Sequence, residues 1–278
     1  MFTINCKGKI LSIEKPLVMG IINVTPDSFY KGHLKEGTAS ILDLAGKMIG
    51  DGADILDIGG QSTRPGSERI TAQEELERVM PVIKLIRQHY KEIVLSVDTY
   101  HSLVAENAVK EGVGIVNDIS AGEMDKRMME TVASLKVPYI CMHMKGTPDT
   151  MQQNISYKDV VKEVLDFFIG KLDACKRAGI NDIIIDPGFG FGKAANHNFE
   201  LLRDLSAFKM LDKPILAGLS RKSTIYKTLN ISAEDALNGT TVLNTLALNN
   251  GADILRVHDV KEAKEAVTLI SAYKKIAS

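Results

Sequence analysis

Short apolar runs and longer amphipathic stretches alternate along this chain, and eight of the apolar runs end in polar or charged residues. The runs are LVMGIIN ending at Asn23, ILDIGG before Gln61-Ser62-Thr63-Arg64, IVLSV before Asp98, and GIV before Asn117-Asp118. They continue with PYICM before His143, DIII before Asp186, PILAGLS before Arg221-Lys222, and ADILRV around Arg256 and His258. Strands that are apolar throughout are buried on both faces, as in a parallel sheet covered by helices. Strands are expected near 17–23, 54–59, 93–97, 114–118, 138–142, 182–186, 214–218 and 253–257. Helices are expected near 38–51, 72–90, 101–112, 125–135, 157–178, 197–207, 233–250 and 260–276. Thr71 followed by Glu74 is a capping-box pattern, whereas Pro81 predicts a kink or break in the helix it opens. This alternation predicts a (β/α)8 TIM barrel, in which polar strand ends converge on one rim. Residues 2–12 alternate weakly around Lys7-Gly8-Lys9, which predicts an N-terminal β-hairpin closing the bottom of the barrel.

The length of 278 residues suits one barrel of that kind. No linker or low-complexity tract divides it, so a single domain over 1–278 is expected. A formal net charge of -1 offers no broad basic surface, which argues against a nucleic-acid partner. No run approaches the ~20 apolar residues that span a bilayer, and the N-terminus lacks the apolar core of a signal peptide. Cys6, Cys141 and Cys175 are widely spaced and suit a reducing compartment, so a cytoplasmic protein is expected. Two connections, 24–37 and 60–71, are long and rich in Gly, Pro, Ser, Thr and Asn, as mobile lids are.

The candidate chemistry sits at the strand ends. Asn23, opening NVTPDSF, offers an oxygen for Mg²⁺ or a phosphate-bound water, or is simply a turn residue. Thr63 and Arg64, between glycines in GGQSTRPG, read as an anion site or as a solvated loop. Asp98, Asn117 and Asp186 would face one cavity, where two carboxylates and a carboxamide match the edge of an amino-pyrimidinone. Each also has the helix N-cap as an alternative, and Asp118 is the better cap at the fourth strand. DPGFGFGK offers Phe189 and Phe191 to a flat ring. GLSRKS presents Ser220, Arg221, Lys222 and Ser223 together. Arg256 and His258 lie two apart on the last strand, hence on one side, and beside Asn23 they would form a phosphate pocket.

The segments MGIINVTPDSF, DIGGQSTRPG, SVDT, VNDIS, MHMKGTP, DPGFGFGK, GLSRKS and RVHDV, in this order and spacing, resemble the bacterial dihydropteroate synthases over nearly the whole chain. The resemblance implies condensation of 4-aminobenzoate with 6-hydroxymethyl-7,8-dihydropterin diphosphate, with Mg²⁺ as cofactor. It implies that Asp98, Asn117, Met142, Asp186 and Lys222 hold the pterin, and that Asn23, Thr63, Arg64, Arg256 and His258 hold the diphosphate, with the metal on Asn23. Phe29, Pro65, Phe191, Lys222 and Ser223 would surround the aminobenzoate. Asp98, Lys222 and Arg64 would carry the catalysis, and a homodimer would form through the last helices. A pterin-binding methyltransferase needs no diphosphate ligands, and a non-catalytic pterin carrier needs no closing lids. Tyr30-Lys31-Gly32-His33, Gln61 and GTTVLNTLALNNGA depart from the family's usual pattern, and none replaces a residue with an assigned role.

Overall fold

The computed structural model describes residues 1–24, 34–62, 66–151, 153 and 155–276. A hairpin comes first. Strands β1 (Phe2–Cys6) and β2 (Lys9–Ile13) pair antiparallel, with Cys6 opposite Lys9. Both turn residues have positive φ, 54° at Lys7 and 91° at Gly8, the tight turn that matches strand twist. The Asn5 side chain accepts from the Gly8 amide at 2.7 Å and steadies that turn.

The barrel follows. Its strands are β3 (Leu17–Asn23), β4 (Ile55–Gly59), β5 (Val94–Asp98), β6 (Ile115–Asp118), β7 (Tyr139–Met142), β8 (Ile183–Asp186), β9 (Leu216–Ala217) and β10 (Ile254–Val257). All pair in parallel in the order β8-β7-β6-β5-β4-β3-β10-β9, and a bridge between Ile185 and Ile215 closes the ring. Alternate residues face opposite sides. Val18, Leu56, Leu95, Val116, Cys141, Ile185 and Leu255 face outward and pack under the helices. Met19, Ile55, Val94, Ile115, Ile140, Ile184, Leu216 and Ile254 face inward, one or more from each strand. Ile4, Cys6 and Ile13 of the hairpin pack on that inner layer, so the hairpin plugs the bottom as expected.

Two residues further along the strands the inward register changes character. It carries Ile21, Asp57, Ser96, Asn117, Met142, Asp186, Gly218 and Arg256, of which five are polar or charged. The barrel interior is therefore an apolar floor under a polar chamber.

The surrounding helices are α1 (Leu34–Gly50), α2 (Ala72–His89), α3 (Ser102–Lys110), α4 (Met128–Leu135), α5 (Val160–Ala178), α6 (Ala195–Arg203), α7 (Ser223–Leu229), α8 (Leu237–Asn249) and α9 (Val260–Ile276). Thr71 caps α2 by accepting from the Glu74 amide at 3.2 Å, but the Glu74 carboxylate turns to Arg78 instead of completing the capping box. Pro81 lies inside α2 without ending it. The proline and Glu77, whose carbonyl it leaves unpaired, are both exposed, so water can satisfy that carbonyl. The stretch expected as one helix at 197–207 is divided into α6 and a 3-10 turn over Leu205–Leu211. The short α7 has no counterpart among the expected elements: seven residues are too few for a clear period.

Candidate active site

The polar chamber is organised around Arg256. Its Nε donates to Asp57 Oδ2 and its Nη2 to Asp98 Oδ2, both at 2.6 Å. Asn117 Nδ2 donates to the same Asp57 oxygen at 3.0 Å. Register explains the grouping, since Gly59 pairs with Asp98 and Asp98 with Asn117 across adjacent strands. The two strand ends pack closely, since a Cβ on Gly59 would lie in ordinary contact with the Asp98 side chain at 3.4 Å. Burial pushes the Asp98 carboxyl up to about 7, with Arg256 opposing and the Asp57 charge adding to the rise.

Across the chamber lies the pair formed by Asp186 and Lys222. Burial raises the Asp186 carboxyl, offset by the nearby Lys222 charge and by the Gly188 amide it accepts from at 2.8 Å. Burial lowers the Lys222 ammonium to about 8, against the pull of Asp186. Lys222 donates to the Phe189 carbonyl and sits 4.4 Å over the Phe191 ring. Phe191 belongs to an apolar patch with Met142, Tyr100, Ile119, Met124 and Met144, which forms one wall of the mouth. Phe189 does not share that role. It is 1% exposed in the core under the helices, so the expectation that both rings could stack on a flat ring is corrected: Phe189 is not open to the chamber.

A second set of contacts joins the loops after β9 and β10. Ser220 Oγ lies 3.0 Å from His258 Nδ1 and accepts from the His258 amide at 3.2 Å. The neighbouring Arg221 forks onto Asp259 with two bonds of 2.9 Å. Arg221 adopts the left-handed backbone (φ 53°), and Ser223 begins α7 directly beyond Lys222. Asn23 ends β3 at the exposed rim, opposite Gly59. The Arg256 guanidinium turns inward to the carboxylates, whereas His258, two residues on, stays at the exposed rim. Among the described residues no three His, Cys, Asp or Glu side chains converge on a metal position. Asn23 is the oxygen donor at the rim suited to Mg²⁺, supplying one neutral ligand where phosphate oxygens and waters would supply the rest.

Phe29, Thr63, Arg64 and Pro65, together with Tyr30-Lys31-Gly32-His33, lie outside the described residues. Asp98, Asn117, Met142, Asp186, Lys222 and Arg256 line one chamber, and Asn23, His258 and Ser223 stand at its rim. Asp118 caps no helix: it accepts from the Ser120 amide and hydroxyl, the Gly122 amide and the Tyr139 hydroxyl, organising the turn after β6.

Three comparisons bear on this geometry. A family described as pterin binding enzymes matches residues 19–258. The dihydropteroate synthase of Escherichia coli strain K12 is 42% identical over 268 residues, covering 96% of this chain and 94% of that protein. The chain belongs to the dihydropteroate synthases. The Xanthomonas albilineans dihydropteroate synthase, solved with 4-aminobenzoic acid, superposes with a TM-score of 0.91 at 40% identity over 98% of each chain. The Yersinia pestis enzyme, solved in a sulfonamide drug complex, gives 0.93 at 38% identity over 99% of this chain and 100% of that one.

The sequence pattern overlooked three residues within this site or beside it. Asp57 hides in the middle of the apolar run ILDIG, where its one signal is a lone acid in a strand buried at every position. Lys193 is 3% exposed although lysines are rarely buried. Glu75, 1% exposed under the end of β4, accepts from Thr99 Oγ1 at 2.8 Å, and burial pushes its carboxyl up to about 8. Its place in an ordinary amphipathic helix gave no sequence signal.

Proposed function

We propose that the barrel mouth joins 4-aminobenzoate to 6-hydroxymethyl-7,8-dihydropterin diphosphate, giving 7,8-dihydropteroate and pyrophosphate. As a member of the dihydropteroate synthases the chain is a transferase of folate biosynthesis. The observation that carries the assignment of roles is the convergence of Asp98, Asn117, Asp186, Lys222 and Arg256 on one chamber with an apolar wall. Asp98, Asn117 and Asp186 match the donors and acceptors of an amino-pyrimidinone ring, and Met142 packs on its face. Lys222 donates to the pterin and, through its stem beside Phe191, borders the aminobenzoate together with Ser223, Phe29 and Pro65.

In the reaction the C–O bond from the pterin methylene to the diphosphate breaks and a C–N bond to the aniline nitrogen forms. The amine gives up a proton and pyrophosphate leaves. Charge develops on the pterin as the leaving group departs, and the ionised Asp98 carboxylate stabilises it. Arg64, Thr63, His258 and Arg256 receive the departing negative charge. Asn23 would hold Mg²⁺ on the diphosphate, where the ion supplies neutralisation of the leaving group. Excluding water protects the cation from hydrolysis, which is the work assigned to the two long loops.

A second copy of this chain is proposed to cover the α8–α9 face. Ala236, Leu243 and Leu248 are buried in the barrel shell, whereas Val242, Leu246, Leu269 and Tyr273 stay exposed at 44–70%. Sedimentation at micromolar concentration would read a dimer mass. Three free, buried cysteines fit a reducing cytoplasm, and no helix among the described residues is long and apolar enough to cross a membrane.

Pyrophosphate release, followed with dihydropterin diphosphate and Mg²⁺ with and without 4-aminobenzoate, tests the reading. Release that needs aminobenzoate and matches dihydropteroate formation is expected. Pterin binding without release would replace the synthase with a pterin carrier.

A further inference from the structure

We propose that Lys193 is a positioning residue for this reaction, holding the glycine-rich loop 187–193 so that Phe189 and Phe191 fix Lys222. This rests on the reading that Lys222 and Phe191 meet the aminobenzoate. The Lys193 side chain is 3% exposed and lies among the residues just past the ends of β7 and β8. Its Nζ has four acceptors: His143 Nδ1 at 2.8 Å, Gly188 O at 2.9 Å, Phe191 O at 3.0 Å and His143 O at 3.3 Å. Burial pulls the Lys193 ammonium well below its usual range, against the nearby Asp186 charge, and its hydrogens are directed at the loop and at the residue after β7.

The loop needs such a clamp. Gly188, Gly190 and Gly192 all have positive φ, between 63° and 83°, and glycine gives up more backbone freedom on ordering than any other residue. A Cβ at Gly188 would run into the His143 carbonyl, and one at Gly192 into that of Lys145. The loop therefore lies backbone against backbone on the segment after β7, with Phe189 as its side-chain anchor in the core. Lys193 ties two of its carbonyls to one point, and Tyr157 holds a third by donating to the Gly192 carbonyl at 3.0 Å.

The consequence reaches the reacting groups through two contacts. Phe189 presents its carbonyl to the Lys222 ammonium, and the Phe191 ring lies beneath it. His143 completes the clamp as a neutral acceptor. Its ring packs edge-on against Phe167 at 4.8 Å, and burial together with the Lys193 charge lowers it to about 2. Its Nδ1 faces the Lys193 Nζ.

The test is a kinetic cycle on the full-length protein. Lys193→Met keeps the stem and removes the donors. The KM for 4-aminobenzoate is expected to rise about tenfold, and the KM for dihydropterin diphosphate less than about threefold. In a Phe191→Ala background the same change should raise the aminobenzoate KM less than about twofold, because the two act as a unit. Additive effects, or a lowered melting temperature with an unchanged KM, would overturn the proposal and leave Lys193 a merely structural residue. Wild-type protein in the same assay separates the two failures, because absence of aminobenzoate-dependent release sinks the reaction itself. Should Lys193→Met not fold, Tyr157→Phe loosens the same loop without touching the buried charge. It is expected to raise the aminobenzoate KM about threefold, and no change there overturns the inference equally.

Discussion

Asp57 makes Arg256 a bridge rather than a free cation. Its carboxylate is fully buried and takes both Arg256 and Asn117, so it sets how strongly Arg256 leans on Asp98. The Asp98 carboxylate forms as pH rises through about 7, and the Lys222 ammonium is lost as pH rises through about 8. If reaction needs the first ionised and the second protonated, kcat/KM follows a bell with limbs near those values. Asp57→Asn removes a neighbouring negative charge that raises Asp98, so the acid limb should move to lower pH while the alkaline limb stays. A pH–rate profile of the two proteins reads this directly, and an unmoved acid limb would take Asp98 out of the rate equation. Lys222→Ala, which removes contacts to both substrates, should lower kcat/KM by about a hundredfold or more, and near-normal kinetics would void its assigned role. At this scale the sequence exposed the residues that end apolar runs, Asp98, Asn117 and Asp186 among them, because a polar group there breaks a visible pattern. Asp57 and Lys193 were hidden because their burial depends on partners as far away in the chain as Arg256 and His143.

Among the elements, α2 shows how a helix is tied to the rim it flanks. A Cβ on Gly60 would fall 2.7 Å from Val79 and 2.9 Å from Glu75, so the helix meets the end of β4 through bare backbone. Arg78 donates to the Gly60 carbonyl at 3.0 Å, and Thr99, just past β5, donates to Glu75. Glu75 is neutral in the folded protein until pH approaches about 8, whereas an unfolded glutamate ionises near 4.5. Its folded value is raised, so its contribution is complete below the unfolded value and is lost as pH climbs to the folded one. Across that interval the loss amounts to at most roughly 5 kcal/mol. Glu75→Gln retains an acceptor for Thr99 and removes the titration. Its melting temperature should fall less than that of the wild type between pH 5 and pH 9, and parallel curves would show that Glu75 does not titrate there. The strands and long helices were readable because a period persists over many residues. The seven residues of α7 carry too little period to see, yet they set Ser223 at the rim.

The whole molecule separates stability from chemistry along the barrel axis. The hairpin and the inner aliphatic layer form one continuous apolar floor, while the titratable groups of the site all stand above it. The hairpin lies against the bottom of the barrel, at the end away from the rim. Ile4 is its deepest anchor at 3% exposure. Ile4→Ala removes buried methyl groups and leaves a void that the closed ring of strands cannot collapse around, so the loss should be about 2–4 kcal/mol. Urea unfolding would show it as a lower midpoint at unchanged slope. Because the cavity opens on the floor, kcat/KM for both substrates should remain within about twofold of wild type. The reverse outcome, an unchanged midpoint with impaired turnover, would mean that the floor shapes the chamber above it. The hairpin would then be part of the catalytic architecture and not a plug.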